Sequence, residues 1–226
     1  MLAIDLSRAS LAYARRRAAQ LGVANIAFAQ ADLLRLRGLD RRFAVIVCVG
    51  VLHHLANPLA GWEVLADLLQ PGGLLKIGLY SAVARRGIVA ARALARERGF
   101  AADGDGIRSC RRAIMDLAYG QLAREATGFI DFYSTSGCRD LVMHAMEHGF
   151  TLPEIGRCLE RLGLRFLGME CDAALLERFD TLNPRPDART DLAAWDRFEQ
   201  ADSEAFKSMY HFWCDRPTAH SAVTRG

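Results

Sequence analysis

Two aspartates that follow short apolar stretches are the first candidates for chemistry. Asp5 follows residues 2–4, and Asp32 follows an apolar stretch that begins at Ile26. If residues 2–4 end a buried strand, Asp5 lies at its carboxyl tip, where nucleotide-binding α/β folds place an acid that accepts hydrogen bonds from a ribose. The structural alternatives are an Asp-Leu-Ser turn that caps a helix at Asp5 and a surface turn at Asp32.

A second group of candidates could move a proton. His53 and His54 follow the apolar stretch 43–49, and a histidine, whose unperturbed pKa is about 6.5, can act as a general base near neutral pH. Histidines at this place could instead line a pocket without doing chemistry. Tyr133 is a weaker catalytic candidate, because its segment, residues 129–140, is dense in hydroxyl, acidic and basic groups. The same groups could cap a helix or form a solvated ion pair.

Residues 43–81 form the unit that must position these side chains. Two apolar, β-rich stretches, 43–49 and 74–81, flank a segment in which apolar residues recur every three to four positions. This pattern predicts a β-α-β unit. Near-continuous apolar strands joined by a crossover helix indicate a parallel sheet with helices on both faces, so the fold class is α/β and function is expected at the carboxyl ends of the strands.

Two motifs in this unit resemble a known family. Val49-Gly-Val-Leu-His-His-Leu and Leu68-Leu-Gln-Pro-Gly-Gly-Leu-Leu are similar to the fourth and fifth strand region of class I S-adenosylmethionine-dependent methyltransferases. The resemblance implies a Rossmann-like sheet, S-adenosylmethionine as cofactor and no metal. It also implies that Asp5 meets the ribose and that Asp32 and Leu33 meet the adenine. The implied cofactor-binding residues are Asp5, Leu6, Asp32, Leu33, Val49, Gly50 and His54.

The chain departs from this family at its beginning. The glycine-rich loop should precede Asp5, yet Met1 already stands inside the second strand of the implied sheet. The expected order is therefore 3-2-(1)-4-5-7-6, with the central first strand missing; direct pairing of residues 1–4 with 43–49 is the alternative. We accordingly expect an N-terminally truncated methyltransferase that binds S-adenosylmethionine weakly or not at all, although a longer parent is active.

The strand–helix alternation stops after Ser81. Residues 84–150 are predicted to be a helical insertion, with one helix from Ile107 to about Ala126. The resemblance to class I methyltransferases implies that an insertion after the fifth strand covers the active site and selects the substrate. A plain helical appendage is the alternative. The segment also resembles a bacterial branch that carries Asp131-Phe-Tyr-Ser and Met209-Tyr-x-Phe-Trp motifs and is sometimes fused to tetratricopeptide repeats. This resemblance implies that the protein could have a tetratricopeptide-repeat region or partner.

The remaining residues are expected to complete the first domain. Residues 1–83 form the core with strands two to five, and residues 151–214 return to it with strands at 164–171 and 209–214, which the resemblance assigns as the sixth and seventh. A capped helix is predicted at 190–200 between them. Residues 215–226 are expected to be a flexible tail.

Composition excludes several classes of protein. The chain has 226 residues, 51% of them hydrophobic and 24% charged, and no apolar run approaches the roughly 18 residues of a membrane helix. A cytoplasmic location is the default. The six cysteines include no Cys-x-x-Cys pair, so neither a zinc site nor a disulfide framework is predicted. The net charge is +3, and the arginines that carry it are dispersed among acidic residues, which makes a nucleic-acid partner unlikely.

The leading functional prediction is methyl transfer from S-adenosylmethionine to an unidentified small-molecule or protein nucleophile. In place of the Asn-Pro-Pro-Tyr motif of many nucleic-acid base methylases, the chain has Gly50-Val-Leu-His-His. Two alternatives belong to other classes: a non-catalytic binding domain, and a nicotinamide-dependent oxidoreductase. The second is disfavoured by the Leu-His-His and Pro-Gly-Gly motifs and because the chain has only two lysines, Lys76 and Lys207.

Overall fold

The chain folds into an α/β structure, here a computed structural model that describes residues 1–144 and 146–218. Its strands are β1 (Leu2–Asp5), β2 (Ala27–Gln30), β3 (Phe43–Val49), β4 (Leu69–Leu79), β5 (Arg165–Met169) and β6 (Tyr210–Asp215). Its helices are α1 (Arg8–Gln20), α2 (Pro58–Leu68), α3 (Arg86–Glu97), α4 (Gly104–Met115), α5 (Thr135–Met143), α6 (Leu152–Arg161), α7 (Ala173–Leu182) and α8 (Leu192–Ala201).

The strands form two separate sheets with a gap between them. β1 and β2 pair in parallel, while the other four strands lie in the order β3-β4-β6-β5, with β3 and β4 parallel and β6 antiparallel to both of its neighbours. Within the described residues no strand lies between β1 and β3, and these two strands do not pair. The orders 3-2 and 4-5-7-6, which make up the two halves of the predicted order, are confirmed, and the direct-pairing alternative is wrong.

The larger sheet has one buried face and one exposed face. Leu75, Ile77 and Phe212 are fully buried in the main core, beneath α2, α6 and α8. On the opposite face Val45 and Val47 remain 53% and 62% exposed. Parallel α/β sheets normally bury both faces under helices, so in the described chain the strands next to the gap lack their usual cover.

The helices between β4 and α6 pack around a cluster of their own. Ile88 of α3, Ile114 of α4 and Phe132 are fully buried in it, together with Cys138 and Val142 of α5. The segment therefore has an apolar interior distinct from the main core. Its role as an insertion at residues 84–150 stays a prediction.

The helix predicted from Ile107 to about Ala126 is wrong at both ends. α4 begins at Gly104 because the Asp103 carboxylate accepts a hydrogen bond from the Gly106 N–H (2.8 Å) and caps it. It ends at Met115, before Gly120 takes a φ of +87°, a conformation that favours glycine and does not continue a helix. A 3-10 helix, Leu122–Gly128, follows.

Two further boundaries differ from the sequence prediction. Asp215, where the sequence predicts that a tail begins, instead closes β6, and the backbone of Arg216 bonds to Gly72 and Gly73. Residues 219–226 of the predicted tail lie outside the described residues. The capped helix expected at 190–200 is α8, capped by Asp191. The described part of the chain contains no helix long and apolar enough to cross a membrane.

Candidate functional site

The two predicted strand-tip acids lie where the sequence placed them. Asp5 closes β1 and accepts a hydrogen bond from the Ser7 N–H (2.7 Å), while Asp32 follows β2 and accepts from the Leu34 N–H (2.9 Å). Each bond uses Oδ1, and the second carboxylate oxygen of each residue has no hydrogen bond within residues 1–144 and 146–218. The turn-forming alternatives are therefore realised, and each carboxylate keeps an oxygen that a ligand could use.

The apolar neighbours of these acids have opposite environments. Leu6 is 64% exposed, whereas Leu33 is 8% exposed and packs in the main core beside α2. Leu33 thus anchors the end of the β1-α1-β2 unit to the rest of the protein, and its predicted contact with adenine stays a prediction.

Open space adjoins the tip of β3. Gly50 has a φ of +75°, and a Cβ built on it would meet no atom within 4 Å. Its N–H points to the carbonyl of Gly78 at a long distance of 3.5 Å, and Val49 before it is 38% exposed. A ligand could approach the backbone closely at this point.

His53 is buried and neutral. Its side chain is fully buried, and its ring lies 3.9 Å from the ring of Tyr80. Neither ring nitrogen has a hydrogen bond of good geometry to a described residue, although the Gly78 carbonyl lies near enough to favour the charged form slightly. Burial, followed by the charge of His54, lowers the pKa of His53 to about 4. His53 therefore acts as a packed, uncharged ring at the end of β3.

A backbone carbonyl holds one ring nitrogen of His54. Its Nδ1 lies 3.3 Å from the carbonyl of Met146, and because a carbonyl only accepts, Nδ1 carries the proton and Nε2 is the basic nitrogen. Burial lowers the pKa of His54, which keeps this nitrogen unprotonated at neutral pH. The ring of His144 lies 4.7 Å from that of His54.

Tyr133 sits in the helical segment. It is 57% exposed, and its hydroxyl donates a hydrogen bond to the Thr127 carbonyl (2.9 Å). Ser134, next to it, caps α5 by accepting from the Gly137 N–H. The structural alternative for this stretch is realised, and no described contact joins Tyr133 to either His53 or His54.

A short segment that the sequence analysis did not single out crosses the ends of β3 and β4. We call residues 146–150 the strap. Its His148 N–H donates to the carbonyl of His53, and its Phe150 N–H donates to that of Tyr80, both at 2.8 Å. The Ala82 N–H donates back to the Phe150 carbonyl at 2.8 Å. These bonds hold the strap across the carboxyl ends of the two strands.

Glu147 fastens the strap through a buried cluster of three charges. Its carboxylate accepts two hydrogen bonds from Arg85 (2.9 and 3.1 Å) and one from Arg92 (2.8 Å). The three side chains are 6–9% exposed, and the Arg85 guanidinium stacks over Tyr80 at 3.7 Å. Burial alone would raise the pKa of Glu147, but hydrogen bonding and charge from Arg92 and Arg85 lower it overall.

A second buried cluster joins the end of β4 to α8 and β6. The hydroxyls of Ser81 and Tyr210 donate to the two oxygens of Glu199, at 2.5 and 2.6 Å. Glu199 is fully buried, and burial raises the pKa of its carboxyl. Its partner Ser81 also accepts a hydrogen bond from the Ala84 N–H, so this acid fixes the point where the chain leaves the sheet.

The sequence is similar to a known family and to a known protein. Residues 1–73 match the family described as methyltransferase domain. An uncharacterized protein, syc1184_c, from Synechococcus sp. is 33% identical over 205 residues, which cover 87% of this chain and 49% of that protein.

Solved structures show the same fold. The structure of PKMT2 from Rickettsia typhi aligns with 95% of this chain and 43% of its own at a TM-score of 0.70 and 15% identity. A second structure of PKMT2, in complex with AdoHcy, aligns over the same shares at a TM-score of 0.68 and 14% identity. The chain thus spans about half the length of the relatives that it matches.

Proposed function

We propose that this chain takes part in methyl transfer from S-adenosylmethionine to a small-molecule or protein nucleophile. Its class I methyltransferase fold and the match of residues 1–73 to the methyltransferase-domain family support the proposal. The observation that carries the proposal is the placement of Asp5, Asp32 and Gly50 at the carboxyl ends of β1, β2 and β3. Those strand ends are where such a fold binds its ligand.

The residues at these ends fit the nucleoside part of the cofactor. Asp5 would accept hydrogen bonds from the ribose through its second oxygen, and Asp32 would accept one from the adenine amine. Gly50 leaves room for close approach of the backbone. Leu6, Leu33 and Val49 would supply the apolar surroundings. When bound, S-adenosylmethionine supplies an electrophilic methyl group on a sulfonium.

His54 is the residue best placed to take a proton from the methyl acceptor. Its Nε2 is unprotonated, and the strap fixes its ring through the Met146 carbonyl. The rings of His53 and Tyr80 lie 4.3 and 6.0 Å from the ring of His54. Residues 84–150 would cover this side of the site and select the acceptor, and the strap at their end would hold the cover in place.

Binding of S-adenosylmethionine by this chain is expected to be weak. The gap between β1 and β3 lies where the methionine end of the cofactor would have to be held, and β1 and β2 form a two-stranded sheet, which is marginal by itself. A sulfonium methyl misplaced by about 1 Å can cost on the order of a hundredfold in rate, so methyl transfer should be impaired more than nucleoside binding.

Equilibrium titration with labelled S-adenosylmethionine tests both parts of the proposal. Asp5→Ala and Asp32→Ala should each lower the affinity on the order of tenfold to a hundredfold, since each removes a charged acceptor. Asp40→Ala, which removes an exposed acid elsewhere, should leave the affinity unchanged. If the chain itself binds too weakly to measure, the same variants are compared in a chain extended upstream in its own reading frame. Equal affinity of both site variants and the control would remove the site assignment, and micromolar binding by the unextended chain would refute the expected weakness.

A further inference from the structure

One residue of the strap fixes the protons of two histidines. The Met146 carbonyl lies 3.3 Å from Nδ1 of His54, and the Met146 N–H donates to Nδ1 of His144 at 3.2 Å. A carbonyl only accepts, so His54 carries its proton on Nδ1. A backbone N–H only donates, so Nδ1 of His144 is unprotonated and the proton of the neutral ring is on Nε2. The two rings therefore have opposite tautomers.

The outer nitrogens of the two rings are available to a ligand. Neither Nε2 has a hydrogen bond within residues 1–144 and 146–218. His144 is exposed, and Nε2 of the half-buried His54 reaches the surface, unlike the ring nitrogens of His53. The two ring centres are 4.7 Å apart and the rings are tilted by 39°. Because both Nδ1 atoms face Met146, both Nε2 atoms lie on the far side of their rings from it, the acceptor of His54 beside the donor of His144.

Such a pair fits a chemical group that both donates and accepts. A hydroxyl has one O–H and two lone pairs, so it can donate to His54, accept from His144 and still attack with its second lone pair. A neutral amine has a single lone pair, which must make the new bond, and an ammonium group has none. A carboxylate has no proton to give to His54. Of these groups, the hydroxyl alone satisfies both histidines and remains a nucleophile.

The charge near the pair disfavours a cationic methyl acceptor. The single carboxylate of Glu147 lies between the guanidinium groups of Arg85 and Arg92, so this buried cluster carries one net positive charge. The charges of Glu147 and Arg92 are both close enough to act on His54. An ammonium group is therefore repelled at this place, whereas an oxygen that becomes negative as it loses its proton is stabilised.

We propose that the methyl acceptor is a hydroxyl group, which His144 holds and His54 deprotonates. This inference rests on the proposed methyl transfer. As the acceptor oxygen forms its bond to the methyl carbon, its proton passes to Nε2 of His54, and the electron pair of the breaking sulfur–carbon bond stays on sulfur. The products are a methyl ether and a neutral thioether, and the positive charge of the sulfonium ends on the His54 imidazolium. His144 donates one hydrogen bond to the oxygen throughout.

Selective ¹⁵N labelling of histidine tests the tautomers directly. At pH 8, above the ordinary histidine pKa of about 6.5, long-range ¹H–¹⁵N correlation shows which nitrogen of each ring carries the proton. We expect Nδ1 for His54 and Nε2 for His144, with the signals assigned by His54→Gln and His144→Gln. The same tautomer in both rings would overturn the proposal.

Phenol is the hydroxyl probe, because its apolar ring can lie against the exposed Met146 and against Tyr80, whose ring is 6.0 Å from that of His54. Titration with phenol should shift the Nε2 signals of both histidines in a saturable way. Anisole has the oxygen without the O–H and should bind on the order of tenfold more weakly. Benzylammonium should leave both signals in place. No saturable shift with phenol, or an equal response to anisole or benzylammonium, would refute the proposed acceptor.

A matched pair of variants tests the donor role of His144. The side-chain amide of His144→Gln can place an N–H near the position of Nε2, whereas that of His144→Asn is too short to do so but can still accept from the Met146 N–H. His144→Gln should keep most of the affinity for phenol, and His144→Asn should lose on the order of tenfold. Equal affinities would contradict the donor role if amide exchange at His148 and Phe150 shows an intact strap. If either variant loosens the strap, the tautomer and probe measurements on the unaltered chain decide.

These measurements contain no S-adenosylmethionine, so they separate this inference from the proposed function. A normal response to phenol with a failed cofactor titration would refute methyl transfer. A failed response to phenol with a normal cofactor titration would refute the hydroxyl acceptor alone.

Discussion

Replacing Glu147 by glutamine should destabilise the protein strongly, because it removes the only carboxylate that the described structure places between Arg85 and Arg92. All three side chains are 6–9% exposed, so water cannot compensate the two guanidinium charges that remain. Removing one partner of a buried ion pair typically costs about 3–5 kcal/mol. In a chain of this length each kcal/mol of lost stability lowers the melting temperature by about 2–4 °C, so we expect the melting temperature of Glu147→Gln to fall by roughly 6–20 °C.

The pH dependence gives this prediction a second readout. The pKa of Glu147 is lowered on folding from its ordinary value of 4.5, so its contribution to stability is fully present above pH 4.5 and is lost as the pH falls through the lowered, folded-state pKa. The difference in the free energy of unfolding between wild type and Glu147→Gln should therefore be constant near neutral pH and shrink in acid. Urea denaturation at several pH values measures it.

Hydrogen exchange at the strap measures the local effect of Glu147→Gln, which global unfolding experiments do not resolve. With Glu147→Gln the amides of His148 and Phe150, which bond to the ends of β3 and β4, should exchange hydrogen faster than amides in α8. Asp180→Asn, which breaks the exposed pair with Arg189, serves as the control and should change neither stability nor exchange measurably. A Glu147→Gln protein within about 1 kcal/mol of wild type, or a difference that does not depend on pH, would refute the reasoning.

Two further predictions concern Glu199 and the start of α4. The pKa of Glu199 is raised by burial, so its contribution to stability is fully present below its unfolded pKa and is lost as the pH rises through the folded value. Glu199→Gln should therefore be at least as stable as wild type at pH 8, whereas Glu199→Ala should be less stable at every pH. Thermal melts at several pH values measure both. Gly106→Ala should destabilise by about 1–3 kcal/mol through overpacking, because its Cβ would collide with the carbonyl of Ala101. Gly104→Ala, whose Cβ would meet only the end of the Arg108 side chain at 3.4 Å, should instead be neutral or stabilise by up to about 1 kcal/mol. Equal effects of the two alanines in urea denaturation would contradict the packing argument.

Sequence reasoning succeeded where the signal was local. Alternation of apolar strands with a periodic helix predicted the β3-α2-β4 unit, and residue types at strand ends placed Asp5, Asp32 and Gly50 at the tips that the structure shows. Resemblance to class I methyltransferases supplied the sheet order. Both kinds of signal depend on residues close in the chain, or on a pattern already known from relatives.

One helix gives too weak a sequence signal to be predicted, and another is shorter than its apolar period suggests. The first is α7, although Asp172 caps it by accepting from the Leu175 N–H and Phe179 is buried one turn later. Its ten residues are few for a periodic pattern to stand out. In α4 the apolar period continued in register through Leu117, which suggested a longer helix than Gly120 permits.

The buried polar clusters could not be predicted because their members are far apart in sequence. Arg85 and Arg92 lie 62 and 55 positions from Glu147, and Ser81 lies 118 positions from Glu199. A lone acid between a methionine and a histidine carries no spacing signal. Only the fold reveals that the strap brings Glu147 between two arginines of α3 and its preceding turn.

These observations place the rigid and the weakly held parts of the candidate site on opposite sides of the gap. On one side, His54 and Tyr80 are fixed by the strap, which a buried charge cluster fastens. On the other side, Asp5 and Asp32 lie on a two-stranded sheet whose helix α1 buries none of its residues, and Leu33 anchors that unit to the main core. A two-stranded sheet is marginal by itself, so the acids of the nucleoside side should fluctuate more than the histidine of the acceptor side. We therefore expect the positioning of the cofactor, rather than the position of the proposed base, to limit methyl transfer by this chain.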